Sequence, residues 1–207
     1  MLRATKSEDI AVLLPVHKRA FAGTVGASIG NCYLHDFLTW FATHPSAISR
    51  VFEQDNRLLG YVFGAPAGYG NELNPAILHS IIWGITTHPW VLLRWQLLRQ
   101  VPSRVQSILK RSAPPPAQNK LSASSQHVYR LVGIGVDPNN RGKGIGQQLM
   151  TGYEEAVWQQ GGDEIQLSVY ADNTAARRLY ENCGWQRLQT QGEVIIYAKS
   201  CNRANHT

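Results

Sequence analysis

Residues 136–146 read Val136-Asp137-Pro138-Asn139-Asn140-Arg141-Gly142-Lys143-Gly144-Ile145-Gly146. The run follows an apolar stretch typical of a buried strand and enters one with the spacing of an amphipathic helix. Glycines let the backbone wrap closely round a ligand, and the start of a helix adds a partial positive charge. With the full charges of Arg141 and Lys143, the run predicts a nest of backbone N–H groups that would fit a pyrophosphate.

Two common phosphate-binding motifs do not match this run. It lacks the G-x-x-x-x-G-K-[ST] spacing of a mononucleotide P-loop, and it lacks the G-x-G-x-x-G of a dinucleotide-binding turn. A glycine-rich turn of purely structural use therefore remains an alternative for this segment taken by itself.

A second motif lies after the next predicted helix and strand. It reads Asn173-x-x-Ala176-x-x-x-Tyr180-x-x-x-Gly184-Trp185. On one helix, Asn173 and Tyr180 share a face about two turns apart. Combined with Arg141-x-x-Gly144-x-Gly146 upstream, this pattern resembles the GNAT superfamily of acyl-CoA-dependent N-acyltransferases. The order of predicted elements before it also matches the family's N-terminal half.

The resemblance implies an α/β fold with a mixed sheet in the order β-α-α-β-β-(helical insertion)-β-α-β-α-β-β. Its two central parallel strands, here 127–136 and 164–170, are expected to splay apart and admit the pantetheine arm of acetyl-CoA. The family pattern implies that backbone groups of Ile134 and Val136 pair with that arm, that Asn173 contacts it, and that Tyr180 protonates the departing thiolate. The pyrophosphate would be held by Arg141, Gly142, Lys143, Gly144, Ile145 and Gly146. No metal is expected.

Amine attack on a thioester needs a donor for the oxyanion, a group that neutralises the ammonium, and an acid for sulfur. For Tyr180 the structural alternative is a core aromatic residue packed on the sheet. A general base is not evident in the sequence. The candidates are His127, at the start of a central strand, and Glu72, where the chain leaves the third strand region. A chain of water molecules with no dedicated base is the alternative.

The apolar pattern predicts the remaining elements in order. Ser7 is predicted to cap the first helix, and Asp55-Asn56 is predicted to join a hairpin. The predicted strands are 2–5, 50–54, 58–65, 127–136, 164–170, 186–190 and 194–199, and the predicted helices are 7–21, 31–42, 75–85, 89–110, 144–160 and 173–182. Candidate acceptor contacts near the meeting of the first two helices are Phe21, Thr24, Ser28 and Tyr33, although a plain interhelical turn is equally compatible there.

An insertion at about 68–126 departs from the minimal family pattern. Residues 73–126 hold six Lys and Arg and no Asp or Glu, which equals the whole net charge of +6. Such a field favours an anionic partner. Three roles remain open for the insertion. It could be a structural elaboration without a function of its own, or a lid that attracts a phosphate-bearing acceptor such as a nucleotide-linked amino sugar. Contact with an acidic membrane surface is the third role and is not favoured. A nucleic-acid role is not expected, because the segment lacks a stacking platform of exposed aromatic residues.

Length and composition limit the classes of protein to which this chain can belong. A chain of 207 residues with 43% hydrophobic residues suits one globular domain over 1–207. Three cysteines without metal-ligand spacing indicate a reducing, cytoplasmic setting. Residues 1–20 lack a signal sequence, and the most apolar stretch, 76–98, is too interrupted to span a membrane.

The sequence therefore predicts an N-acetyltransferase that moves an acetyl group from acetyl-CoA to a primary amine of a small molecule by direct attack. The alternative is a non-catalytic acyl-CoA-binding sensor or scaffold that docks on a membrane or a partner through the basic insertion.

Overall fold

The computed structural model describes residues 1–20, 31–87 and 127–201, and for 79–87 its description is limited to the backbone. The predicted helix 89–110, the loop after it and the candidate contacts Phe21, Thr24 and Ser28 lie outside the described residues.

Seven strands form one mixed sheet in the order β1-β2-β3-β4-β5-β7-β6. The strands are β1 (Leu2–Ala4), β2 (Ile48–Gln54), β3 (Arg57–Pro66), β4 (Val128–Val136), β5 (Glu164–Tyr170), β6 (Gln186–Gln191) and β7 (Val194–Ser200). The described helices are α1 (Ile10–Ala20), α2 (Asn31–Thr43), α3 (Gly70–Thr87), α4 (Ile145–Gln159) and α5 (Thr174–Asn182). Only β4 and β5 pair in parallel within this sheet of described strands. The predicted fold class is confirmed.

Local sequence explains most of the element boundaries. Asp55 and Asn56 adopt left-handed φ angles of 51° and 56°, which is the backbone of a tight hairpin turn and suits these two residue types. The prediction that Ser7 caps the first helix is wrong. Residues Ser7–Asp9 form a 3₁₀ turn, and the buried carboxylate of Asp9 accepts the N–H of Lys6 at 2.8 Å. That carboxylate, rather than a serine hydroxyl, accepts the backbone N–H before α1 begins.

The third helix begins at Gly70, five residues earlier than predicted, with Pro75 inside it. Leu73 and Ile77 are four residues apart on one face of α3, and both are buried. Their packing holds the helix on both sides of Pro75, although a proline removes one intrahelical hydrogen bond.

Two apolar cores cover the two faces of the sheet. Helix α4 packs on one face, where Leu149, Met150 and Tyr153 meet Val62 and Ile165. Helices α1 and α2 pack on the other face. There the rings of Tyr61 and Phe63 on β3 lie across the neighbouring strand at Gly135 and Gly133, where a Cβ atom would stand 2.8 and 2.6 Å from them. Glycine at those two positions of β4 lets the aromatic rings approach the backbone.

Candidate active site

The two parallel strands part after three residue pairs. Residues 128, 129 and 130 of β4 pair with residues 164, 165 and 166 of β5, and the register ends with Arg130 opposite Gln166. Beyond that point β4 continues to Val136 and β5 to Tyr170 with no pairing between them. We call the opening between residues 131–136 and 167–170 the gap. It is the splay that the sequence resemblance implied.

A β-bulge lies where the strands part. Phe63 of β3 pairs with Gly133, and the next residue, Gly64, pairs with Leu131, which leaves Val132 as an extra residue in β4. A bulge bends its strand and increases the local twist. Strand β5 instead stays paired with β7 along its whole length. Strand β4 therefore turns away from β5 and opens the gap.

Beyond Arg130, no described strand pairs with the side of β4 that faces the gap. The N–H of Asp137 donates to the carbonyl of Leu59 on β3 at 2.8 Å. Because backbone amides of successive residues in a strand point to opposite sides, the N–H groups of Val136 and Ile134 point into the gap. The N–H groups of the two predicted pantetheine contacts thus face the gap, where an extended ligand could add as a strand would. Their contact with a pantetheine arm stays a prediction.

The glycine run forms an open nest at the carboxyl end of β4. Gly142 and Gly144 have left-handed φ angles of 78° and 75°, and both are exposed. Gly144 precedes the 15-residue helix α4, and no side chain caps that helix. A Cβ atom on Gly146 would stand 3.2 Å from Leu179 of α5 and 3.9 Å from Val136. The lack of a side chain at Gly146 therefore lets the start of α4 lie close to the end of β4 and to α5.

Two cationic side chains flank the nest, and a buried carboxylate supports it. Arg141 is exposed, with its Nε 3.4 Å from the carbonyl oxygen of Val136, and Lys143 donates to Asn140 Oδ1 at 2.9 Å. Asp137 accepts the N–H of Asn139 at 3.1 Å and a hydrogen bond from Arg19 at 2.8 Å. These two donors hold the pKa of Asp137 below its ordinary value. Sequence reasoning missed Asp137, because its partner Arg19 lies in a distant helix.

Asn173 caps α5 at the carboxyl end of β5. Its Oδ1 accepts the N–H of Ala176 at 3.2 Å, and the residue is exposed. An N-cap uses the side-chain oxygen and leaves the NH₂ group free to donate. Because parallel strands end at the same edge of a sheet, Asn173 and the nest stand at the same end of the gap.

Tyr180 is buried in the core on the α4 face. It is 6% exposed, and its ring lies 6.2 Å from that of Trp185 and 6.0 Å from that of Tyr197. Burial raises the pKa of Tyr180 to about 12, so the phenol stays protonated at neutral pH. Within the described part of the chain no hydrogen bond occupies its hydroxyl. Tyr180 is both a core aromatic residue and a phenol that is free to give up a proton.

The structure does not bring the two candidate bases into the gap. His127 precedes β4, so the paired residues 128–130 separate it from the opening. Its side chain is 55% exposed and stands 3.5 Å from the carboxylate of Asp163. Glu72 lies in the first turn of α3 with a side chain that is 62% exposed and 3.0 Å from Nε2 of His44. Each side chain makes an imidazole–carboxylate contact at the surface, and a catalytic role for either stays a prediction.

The described residues also bear on metal binding and on membrane crossing. Among residues 1–20, 31–87 and 127–201 there is no group of three or more His, Cys, Asp or Glu residues placed to hold a metal ion. None of the described helices has the length and apolar character that crossing a bilayer requires.

A mixed sheet opened between two parallel strands, with an anion nest at its mouth, defines a protein that binds an extended ligand with an anionic end. Residues 102–185 match the model of the acetyltransferase (GNAT) family. A GNAT acetyltransferase domain therefore occupies the part of the chain that carries the gap and the nest, and the resemblance seen in the sequence is confirmed.

Individual proteins agree with that assignment. The chain is 38% identical over 66 residues to mycothiol acetyltransferase of Kocuria rhizophila, which is 32% of this chain and 22% of that protein. It is 36% identical over 70 residues to the N-alpha-acetyltransferase RimI of Mycobacterium tuberculosis, or 34% of this chain and 42% of RimI. The matches thus span less than half the length of these relatives. The fold resembles PaiA N-acetyltransferase of Thermoplasma acidophilum, solved in complex with coenzyme A, with a TM-score of 0.58, 14% identity and coverage of 97% of this chain and 98% of that one.

Proposed function

We propose that this protein transfers an acetyl group from acetyl-CoA to a primary amine of a small molecule. The observation that carries the proposal is the parting of β4 from β5 after Arg130 and Gln166, with an exposed glycine nest at the open end. A slot between strands fits a slender arm with amide groups, and a nest of N–H groups fits a diphosphate.

The described residues fit coenzyme A in three respects. The N–H groups of Ile134 and Val136 face the gap and match the amides of a pantetheine arm. The uncapped start of α4 offers further N–H groups and a partial positive charge, beside Arg141 and Lys143. The NH₂ group of Asn173 is available on the β5 side of the same opening. We assign these residues, together with the nest glycines and Ile145, to the binding of the co-substrate.

The reaction proposed is direct transfer. The neutral amine nitrogen attacks the thioester carbonyl carbon, the new carbon–nitrogen bond forms, and the carbon–sulfur bond breaks with its electron pair on sulfur. Tyr180 gives its proton to the thiolate and regains one from solvent. The amine loses its two protons to water, one before the attack and one after it, because neither His127 nor Glu72 stands in the gap.

The amino-sugar acceptor was inferred from the basic segment 73–126, most of which lies outside the described residues, so the described structure lends it no support. We keep a small primary amine as the acceptor. All three cysteines are free thiols, which suits the cytoplasmic setting that we propose.

The test is a thiol-release assay with acetyl-CoA and a panel of amino acids, polyamines, amino sugars and peptides, beside calorimetric titration with coenzyme A. We expect coenzyme A to bind and at least one amine to be acetylated, with the product mass raised by one acetyl group. Failure to bind coenzyme A or acetyl-CoA would overturn the proposed function.

A further inference from the structure

Three polar groups without hydrogen-bond partners meet beside the point where the strands part. They are the guanidinium of Arg130 on β4 and the hydroxyls of Tyr69, in the turn after β3, and Tyr33, on α2. In the described ranges no hydrogen bond or ion pair occupies any of the three. Each of the three groups still reaches solvent. Among the described residues, the fully buried side-chain atoms without a hydrogen-bond partner belong to Thr39 and Arg177, and none belongs to this cluster.

Arg130 is the last residue of β4 that pairs with β5. Its neighbours Tyr129 and Leu131 both face the α4 core, so the side chain of Arg130 projects from the opposite face, toward α2 and the turn after β3. Burial lowers the pKa of Arg130, and the neighbouring Tyr69 and Glu164 oppose that shift. A guanidinium that has lost water without gaining a hydrogen-bonded partner is costly unless a ligand supplies one.

The two tyrosines form an aromatic wall with polar tips. Tyr33 stacks on Phe37 at 5.9 Å, and Tyr69 packs against Phe41 at 5.8 Å. Burial raises the pKa of each phenol, so both stay protonated and can donate. Pro66 pairs with Tyr129, and the N–H of Ala67 donates to the carbonyl of Val128 at 2.7 Å, so the turn that carries Tyr69 runs beside the start of β4. The electrostatic coupling of Tyr69 to Tyr33 and to Arg130 agrees with that placement.

This cluster is not part of the nest. Arg130 and Val136 are six residues apart along a strand, which is about 20 Å. The nest lies beyond Val136 at the open end of the gap, whereas Arg130 lies at its closed end. An anion held by Arg130 must therefore belong to a different ligand group from the diphosphate.

We propose that Arg130, with Tyr33 and Tyr69, binds a carboxylate of the acceptor, so that the preferred substrate is a small amine that also carries a carboxylate. This inference rests on the proposed acetyl transfer. The planar guanidinium matches a carboxylate with two parallel hydrogen bonds, and the phenols donate to its remaining lone pairs. Glu164 already lies near Arg130, so a ligand with one negative charge, such as a carboxylate, is repelled less there than a phosphate dianion. The positive charge of Arg130 also favours loss of a proton from the acceptor ammonium.

The test compares α-amino acids with their own carboxamides, which keep the amine and remove the negative charge. For the wild-type protein we expect kcat/KM for the acids to exceed that for the amides by about tenfold or more. In Arg130→Gln the acid and amide values of kcat/KM should differ by no more than about twofold, mainly because KM for the acids rises. Arg130→Lys should keep part of the preference for acids. Arg187→Gln, on the far edge strand β6, serves as the matched control and should change nothing.

Three outcomes would overturn this inference while coenzyme A still binds normally. One is equal kcat/KM for acids and amides in the wild type, or no turnover of either series. Another is an acid-to-amide ratio that Arg130→Gln leaves unchanged. The third is an equal loss of kcat on acids and amides, which would place Arg130 at the reacting carbonyl instead. If Arg130→Gln does not fold, Tyr69→Phe provides a second test. It should lower the acid-to-amide ratio of kcat/KM by about threefold or more. Loss of coenzyme A binding in the wild type would count against the proposed function and not against Arg130.

Discussion

Arg19 and Asp137 are 118 positions apart in the chain, and their side chains form an ion pair of 2.8 Å. The pair joins the last turn of α1 to the turn that leads from β4 into the nest. Asp137 also accepts the N–H of Asn139 inside that turn. The N-terminal helix therefore helps to fix the segment that positions the nest.

Asp137→Ala removes both bonds at once, and Arg19→Gln removes the ion pair alone. We expect Asp137→Ala to lower the free energy of unfolding by about 1–2 kcal/mol and to weaken coenzyme A binding severalfold. Arg19→Gln should cost less than about 1 kcal/mol, because Arg19 is half exposed. Urea unfolding and calorimetry measure the two effects. Equal losses in the two variants would mean that the Asn139 bond contributes nothing.

Tyr180→Phe removes a hydroxyl that has no partner among the described residues and leaves the ring in place. We expect kcat to fall by about 10²-fold or more, with the Kd for coenzyme A and the thermal stability close to wild type. Tyr129→Phe is the control, since its hydroxyl donates to Gln160 at 3.0 Å. That variant should lose about 1 kcal/mol of stability and keep its turnover. Unchanged turnover in Tyr180→Phe would remove the acid role from Tyr180.

Arg141→Glu reverses a full charge beside the nest. We expect the Kd for coenzyme A to rise by about tenfold or more, and the loss to shrink as ionic strength increases. Titration calorimetry at two salt concentrations measures both. Arg187→Glu makes the same charge change on β6 and should leave the Kd near wild type. An unaltered Kd in Arg141→Glu would refute the proposed role of the nest.

His17 on α1 and Tyr61 on β3 form a buried pair with 2.6 Å between Nδ1 and the hydroxyl oxygen. Burial lowers the pKa of His17 to about 4, against about 6.5 in an unfolded chain. Between these values the unfolded state binds a proton that the folded state does not. The free energy of unfolding should therefore fall as the pH drops from about 6.5 to about 4, by up to about 3 kcal/mol.

Urea unfolding at several pH values measures that slope. The double variant His17→Leu/Tyr61→Phe removes the buried imidazole together with the hydroxyl that it contacts, and it should flatten the curve in this range. Asp9 and Asp137 also have lowered pKa values, but their contribution is lost only below about pH 4. A double variant that keeps the wild-type slope would show that other groups set it.

Periodicity and turn chemistry predicted those parts of the fold that short-range rules determine. Asp55-Asn56 predicted its hairpin, and the runs after Asp137 and Asp172 led into two predicted helices that correspond to α4 and α5. The bulge at Val132 could not be read from the sequence, since an extra residue in one strand becomes visible only against the register of its neighbour. The ion pair of Arg19 with Asp137 was missed for the same reason, because it joins distant parts of the chain.

The candidate bases show most clearly where prediction of the site from the sequence fails. His127 was placed near the reaction because it borders a central strand, but a strand has two ends, and the parting point lies beyond Arg130. Arg130 itself is the only Lys, Arg, Asp or Glu residue in the predicted strand 127–136, and its neighbours there form no motif that marks it as part of a site. Its place at the parting point depends on how far β4 and β5 stay paired, which no local pattern encodes.

Along the gap, no described strand pairs with the facing edges of β4 and β5, although both strands lie in the interior of the sheet. Exposed strand edges are templates for pairing with another chain, and here two of them face each other inside the sheet. A bound co-substrate would act as a removable cover over both, so a preparation stripped of it should self-associate more readily on storage than one kept saturated.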